Sequence, residues 1–164
     1  MTERLFIPES KKYLPIIKDI IQSMKDYGES FSLIKTWHER VRVTFSDNDY
    51  PYCMVVIRRG SGDSHNIPRG IIESVDIDII FEVKSYNDGK TQLIYDLIED
   101  AICMVTSGSV VFNQSKYYSV KELKFIDWEY TPNTDGSFIF DTARVSLNAK
   151  LIICKKCKEV DTND

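Results

Sequence analysis

Residues 73–84 read ESVDIDIIFEVK. Val75, Ile77, Ile79, Phe81 and Val83 alternate with Ser74, Asp76, Asp78, Glu82 and Lys84, and Ile80 alone breaks the pattern. Side chains of a strand point alternately to its two faces, so this stretch predicts a strand with one dry and one wet face. Such half-buried strands belong to antiparallel sheets whose apolar side is covered by other elements. The rest of the chain has to supply those elements.

Upstream, 50–59 (YPYCMVVIRR) reads as a second strand, joined to the first through a polar loop at 60–70 (GSGDSHNIPRG). Ser46-Asp47-Asn48-Asp49 is strong turn chemistry. Before it, 40–46 reads as a strand, and 31–39 fits no single period. The first helix is expected over 10–27, with Ser10 as its cap. Its apolar stripe is Tyr13, Leu14, Ile17, Ile20, Ile21 and Met24, and Gly28 follows as its stop. Downstream, Asn87-Asp88-Gly89 turns the chain into a helix at 90–106. Leu93, Ile94, Leu97, Ile98, Ala101, Ile102 and Val105 form its apolar stripe, with Asp96, Glu99 and Asp100 opposite. Gly108 ends that helix, and a short strand is expected near 109–113.

The last section is a long hairpin: 122–131 outward, a turn at Pro132-Asn133-Thr134-Asp135-Gly136, and 137–153 back. Segregated helices and strands of this kind predict an α+β fold. The expected architecture is an antiparallel four- to five-stranded sheet, two helices on one face and a long C-terminal β-hairpin. Residues 1–153 are expected to form one domain, and 154–164 a charged, frayed tail.

Pairing the hairpin symmetrically about Thr134 places Tyr130 opposite Phe138 and Trp128 opposite Phe140, with Ile126 beside them on one face. The apolar positions Ala143, Val145, Leu147, Ala149, Leu151 and Ile153 have the other parity and face Phe125 and Leu123. The apolar face therefore switches near 140–143. Two readings compete. A β-bulge returns the aromatics to the core, or the hairpin tip shows an aromatic patch of roughly 600–1,000 Å² to a partner.

Charge and motifs narrow the function classes. Lys and Arg number 21 against 25 Asp and Glu, a net charge of −4, so a broad basic footprint for nucleic acid is absent. The start, MTERLFIPESKK, carries no long apolar stretch and no later run reaches the length of a membrane span, which predicts no membrane partner. Cys53 and Cys103 lie in apolar runs and read as buried thiols. Cys154 and Cys157 form a CxxC, but it ends a strand and the histidines, His38 and His65, are distant, so neither a redox nor a zinc site is expected. Asp76 and Asp78 share a face without further partners at a matching spacing. The glycines of 60–70 lack the Lys-Ser/Thr ending of a P-loop. Asp88-Gly89-Lys90-Thr91 is explained as turn and cap. His38 and His65 have no nucleophile arranged beside them. No cofactor is called for. Arg58, Arg59 and Arg69 could mark one positive edge of the sheet, against the plainer reading of strand ends dressed with solubilising charge.

Taken in order, YPYCMVVI, SVDIDIIFEV, LIYDLIEDAI and an Asp-Gly turn followed by FIFDTARVSLNAKLII resemble the tail terminator (tail-completion) proteins of tailed bacteriophages. The resemblance covers roughly 10–153 and implies a structural role rather than a reaction. Such proteins form a ring, usually a hexamer, on the last ring of the tail tube. They stop its polymerisation and meet the head–tail connector, with DNA passing only through the lumen. The implied location is the virion tail or neck, after assembly in the host cytoplasm. The residues expected at contacts are Trp128, Tyr130, Phe138 and Phe140 on the hairpin, and Arg58, Arg59, Ile67 and Arg69 around the 60–70 loop. The CKKCKEVDTND tail departs from the family pattern and leaves open another neck or connector protein of similar fold. A small cytoplasmic enzyme is the more distant alternative.

Overall fold

The computed structural model describes residues 9–39, 46–67, 70–86, 91–135 and 138–154. Helix α1 runs Glu9–Tyr27, so Ser10 lies inside it rather than capping it. Gly28 ends it with a φ of 73°, a left-handed conformation that glycine adopts without a Cβ penalty. The ambiguous stretch 31–39 resolves into a 3₁₀ turn, Glu29–Leu33, and a three-residue strand β1, Thr36–His38. The strand expected at 40–46 falls almost wholly outside the described residues. The acidic tetrad forms a 3₁₀ turn, Asp47–Asp49, in which Ser46 N–H donates to Asp49 Oδ2 at 2.7 Å.

β2 (Tyr52–Ile67) and β3 (Gly70–Tyr86) follow, then α2 (Thr91–Thr106), β4 (Tyr118–Asp135) and β5 (Phe138–Cys154). The sheet order is β1-β2-β3-β5-β4. All pairs are antiparallel except β1 with β2. The fold is α+β, with both helices on one face of a five-stranded sheet.

Two expectations change. The polar loop at 60–70 is mostly strand: Gly60, Ser61 and Gly62 pair with Val75, Ser74 and Glu73. Ladder hydrogen bonds to an already ordered β3 stabilise this segment whatever its side chains, so its Gly/Ser content misleads. Gly60 also has a packing reason, since a Cβ there would lie 2.3 Å from the Tyr13 hydroxyl, which donates to Glu73. The strand expected at 109–113 does not form. Instead this stretch runs along α1, with Val111 N–H donating to Ser23 Oγ (3.0 Å) and Asn113 N–H to Asp19 Oδ2 (3.0 Å).

The core lies between the helices and the odd-numbered face of β3. Val75, Ile77, Ile79 and Phe81 are fully buried against Ile16, Ile20 and Met24 of α1 and Ile94, Leu97, Ala101 and Met104 of α2. From β5, Ala143, Val145, Leu147, Ala149 and Leu151 complete it, as their parity predicts. Helix α2 ends on a Schellman pair, Gly108 N–H to Val105 O and Ser109 N–H to Met104 O. Asp100 receives both Ser30 N–H and the Ser30 hydroxyl, which ties α2 to the first 3₁₀ turn.

The layers differ in length. At about 3.3 Å per residue, the 17 residues of β3 extend roughly 56 Å. The 19 residues of α1 span only roughly 28 Å at 1.5 Å each. The sheet therefore outreaches its helices, and its two long hairpins, β2–β3 and β4–β5, turn at opposite ends.

Candidate assembly interface

The expected hairpin register, centred on Thr134, is displaced. Asp135 pairs with Phe138, Tyr130 stands opposite Ala143 and Trp128 opposite Val145. Register shifts between Val120 and Glu122 and between Phe125 and Asp127 mark two irregularities in β4. The second flips parity at Ile126, so Phe125 and Trp128, three apart, both face the helices. The four aromatics thus do not share a face. Trp128 and Tyr130 return to the helix side by the bulge route, while Phe140, paired with Lys84, lies on the other face. The Phe138 side chain is outside the described residues.

The helix-side aromatics are only half covered, because β4 is the edge strand and α2 lies mainly over its neighbour β5. Trp128 remains 47% exposed, and Ile126, the unpaired residue of the bulge, 55%. Tyr130 packs on Tyr95 of α2 with ring centroids 5.4 Å apart and donates its hydroxyl proton to Asp141 Oδ1 at 2.5 Å. Partial burial, then the bond to Asp141 and its charge, push the Tyr130 phenol up to about 12. Asp141 itself is buried, and its second oxygen has no hydrogen-bond partner among the described residues.

The helix-free face is a ladder of polar pairs. Asn148 Nδ2 donates to Ser74 Oγ (2.7 Å) and Asp76 Oδ1 (2.9 Å), and Ser146 Oγ donates to Asp78 Oδ1 (2.8 Å). Arg144 meets Glu129 at 2.9 Å, and Lys150 meets Glu122 at 3.7 Å. The alternating acids of β3 are thus cross-strand partners rather than a free solvated row, and Asp78 is only 4% exposed. At the end nearest the β4–β5 turn this face becomes aromatic. Phe140 lies 5.8 Å from Tyr50, and the Lys84 ammonium sits 5.5 Å from the Phe140 centroid. Tyr52 donates to Glu82 at 2.7 Å, and burial together with that bond raises its phenol far above the ordinary value.

Of the basic edge, Arg58 sits at an irregularity between Ile57 and Arg59, 3.6 Å from Asp78, and Arg59 pairs across to Asp76 and is exposed. Ile67 is the last residue of β2, with its side chain outside the described residues, as is Arg69 altogether. Cys53 is buried as expected, which pushes its thiol well above the ordinary value, whereas Cys103 is exposed on the outer side of α2. The face of Cys103 follows helical rather than run-based reasoning: Ala101 and Met104 point inward, and at 3.6 residues per turn position 103 falls on the opposite side of the helix. Cys157 lies outside the described residues.

Sequence reasoning passed over Asp19 and Ser23. Both are nearly buried on α1 and hold the segment after α2 in place. The signal was available, since each interrupts the apolar spacing of Ile16, Ile20 and Met24 with a polar group that has to be satisfied. A groove of about 610 Å³ opens beside them, lined by Leu14, Lys18, Asp19, Asn113, Lys116 and Tyr117 among others. Among the described residues, no three His, Cys, Asp or Glu side chains gather as a metal site, and no helix is long and apolar enough to cross a membrane.

No protein-family model matches the chain, and no curated protein does. Among solved structures, the chain is similar to one from the virion of a native gene transfer agent (GTA) particle. The TM-score is 0.56 at 12% identity, covering 84% of this chain and 94% of the other. At that identity the likeness is one of fold.

Proposed function

We propose that this chain is a structural virion protein that forms a ring at the head-proximal end of a phage tail tube, ends tube growth and joins the tail to the head connector. The observation that carries the reading is that 84% of this chain shares its fold with 94% of a chain from the virion of a gene transfer agent particle. An assembly role also accounts for the proportions of the molecule. A sheet twice as long as its helices leaves strand edges and hairpin ends that an isolated domain does not need. Half-exposed Trp128 and Ile126 sit on such an edge, where edge strands of free-standing proteins are usually blunted or covered. The interface set proposed is Trp128, Tyr130, Phe138, Phe140, Arg58, Arg59, Ile67 and Arg69. Trp128 and Tyr130 lie on the helix side and Phe140 on the other face.

Tail-tube protein polymerised in the presence of the chain tests the proposal. Electron microscopy is expected to show tubes of limited length with added density at one end. Tubes of unrestricted length with bare ends would contradict the terminator role, and binding to a connector ring without any effect on tubes would favour a neck protein of the same fold.

A further inference from the structure

We infer that one flank of α2 and the edge strand β4 form a docking cleft for a basic segment with apolar anchors, carried by a protein other than this chain. Five large apolar side chains stand exposed among the described residues, and three of them, Tyr95, Ile126 and Trp128, gather here. Tyr95, Glu99 and Ile102 are spaced i, i+4 and i+7, so they share one side of α2. Tyr95 meets Tyr130 with ring centroids 5.4 Å apart, which aims that side of the helix at β4. β3 ends at Tyr86 opposite Phe138, and α2 begins at Thr91, so the helix starts at the hairpin-tip end of the sheet and runs back along it. Ile102 then lies about 10 Å beyond Tyr95 along the helix. Ile126 lies about 13 Å from Tyr130 along the strand, at the other end of the same cleft.

The strand itself is a poor template for strand addition. The bulge at Ile126 breaks its ladder, and Pro132 lacks an N–H. Contact therefore falls to the side chains, and charge selects the partner. α2 carries Asp96, Glu99 and Asp100 and no base, and 126–131 (IDWEYT) carries Asp127 and Glu129 and no base. Glu99 and Asp127 are exposed. Arg144, in the row of Glu129, projects from the helix-free face and is engaged by that acid at 2.9 Å. A lysine or arginine entering the cleft gains the attraction of Glu99, the face of an aromatic ring and apolar cover for its stem. Leucine-like neighbours of that base fill the space between Tyr95, Ile102, Ile126 and Trp128. An acidic segment loses the first two gains. A second copy offering the same cleft would set acid against acid, which disfavours the self-complementary pairing of a two-fold dimer.

The cleft needs no ring to form, so the purified full chain tests it. Trp37→Phe leaves Trp128 as the sole tryptophan, and its fluorescence reports on the cleft. Three synthetic peptides are titrated against this chain: an amphipathic one with leucines on one face and arginines on the other, its twin with glutamates for the arginines, and a leucine-free version with serines. The leucine–arginine peptide is expected to shift the emission to shorter wavelength and to saturate. The other two are expected to bind at least about tenfold more weakly. Tyr95→Ala and Glu99→Lys, each checked by circular dichroism for an intact fold, are expected to weaken the first peptide at least about tenfold. No saturable response, equal affinity for the glutamate twin, or binding that neither substitution changes would each overturn the cleft. Self-association of the chain that Glu99→Lys abolishes would make a second copy the occupant and overturn the partner named here. None of these results bears on tube length, which decides the terminator reading separately.

Discussion

Replacing Phe81 by alanine is expected to remove about 3–5 kcal/mol of folding stability, close to the whole margin of many domains of this size. Phe81 is fully buried in the central strand. Its ring stacks on Phe31 at 6.0 Å and 20°, and its row neighbours are Cys53 on β2 and Ala143 on β5. Both flanking side chains are small, so neither can move in to fill the space. The cost then includes the cavity as well as the lost transfer of the ring from water. Phe31 belongs to the 3₁₀ turn that Asp100 anchors to α2, and the damage should reach that junction. Urea unfolding is expected to show a markedly lower midpoint, or a chain unfolded before denaturant is added. A shift below about 1 kcal/mol, the scale of an ordinary surface change, would mean that the core is not centred on this residue.

Trp128→Ala is expected to act in the opposite way. The side chain is nearly half exposed on the edge strand, so its loss should cost folding about 1 kcal/mol or less. If the β4 edge is an assembly surface, the same change should weaken association by about 2–4 kcal/mol, roughly 30- to 1,000-fold, because buried tryptophans are typical anchors of protein interfaces. Phe140→Ala is the informative companion. Phe140 lies on the helix-free face against Tyr50 and Lys84, away from the bulge. Its effect on association should therefore be separate from that of Trp128 and roughly additive with it. Denaturant titration and sedimentation of the same preparations measure both quantities. A large stability loss for Trp128→Ala with unchanged association would place that ring in the core's service only.

Much of this was legible in the sequence, because the governing patterns are local. The alternation of 73–84 located the central strand, and the stripes of the two helices located both within one or two residues. The parity of Ala143 to Ile153 identified their core face. The parity switch at the hairpin was visible too, and a bulge was one of its two readings. The position of the bulge was not legible. It depends on the hairpin register, and a register in which Thr134 pairs with Ile139 rather than forming the turn changes every cross-strand partner. The 60–67 arm was missed because its hydrogen bonds are backbone ones supplied by β3, which composition does not record. β1 is three residues long and parallel to its neighbour, too short for any period to declare itself. The candidate site divides in the same way. Exposed Trp128 and the basic pair at 58 and 59 were named from sequence, but Asp19 and Ser23, which hold the segment after α2, were not.

The central claim is that this chain acts as one member of a ring on a virion tail. Mass photometry of the purified chain, alone and with tail-tube protein, tests it most directly. The account predicts a discrete species of several copies, six on the resemblance to tail terminators, at least when tube protein is present. A single-copy mass under both conditions would contradict it.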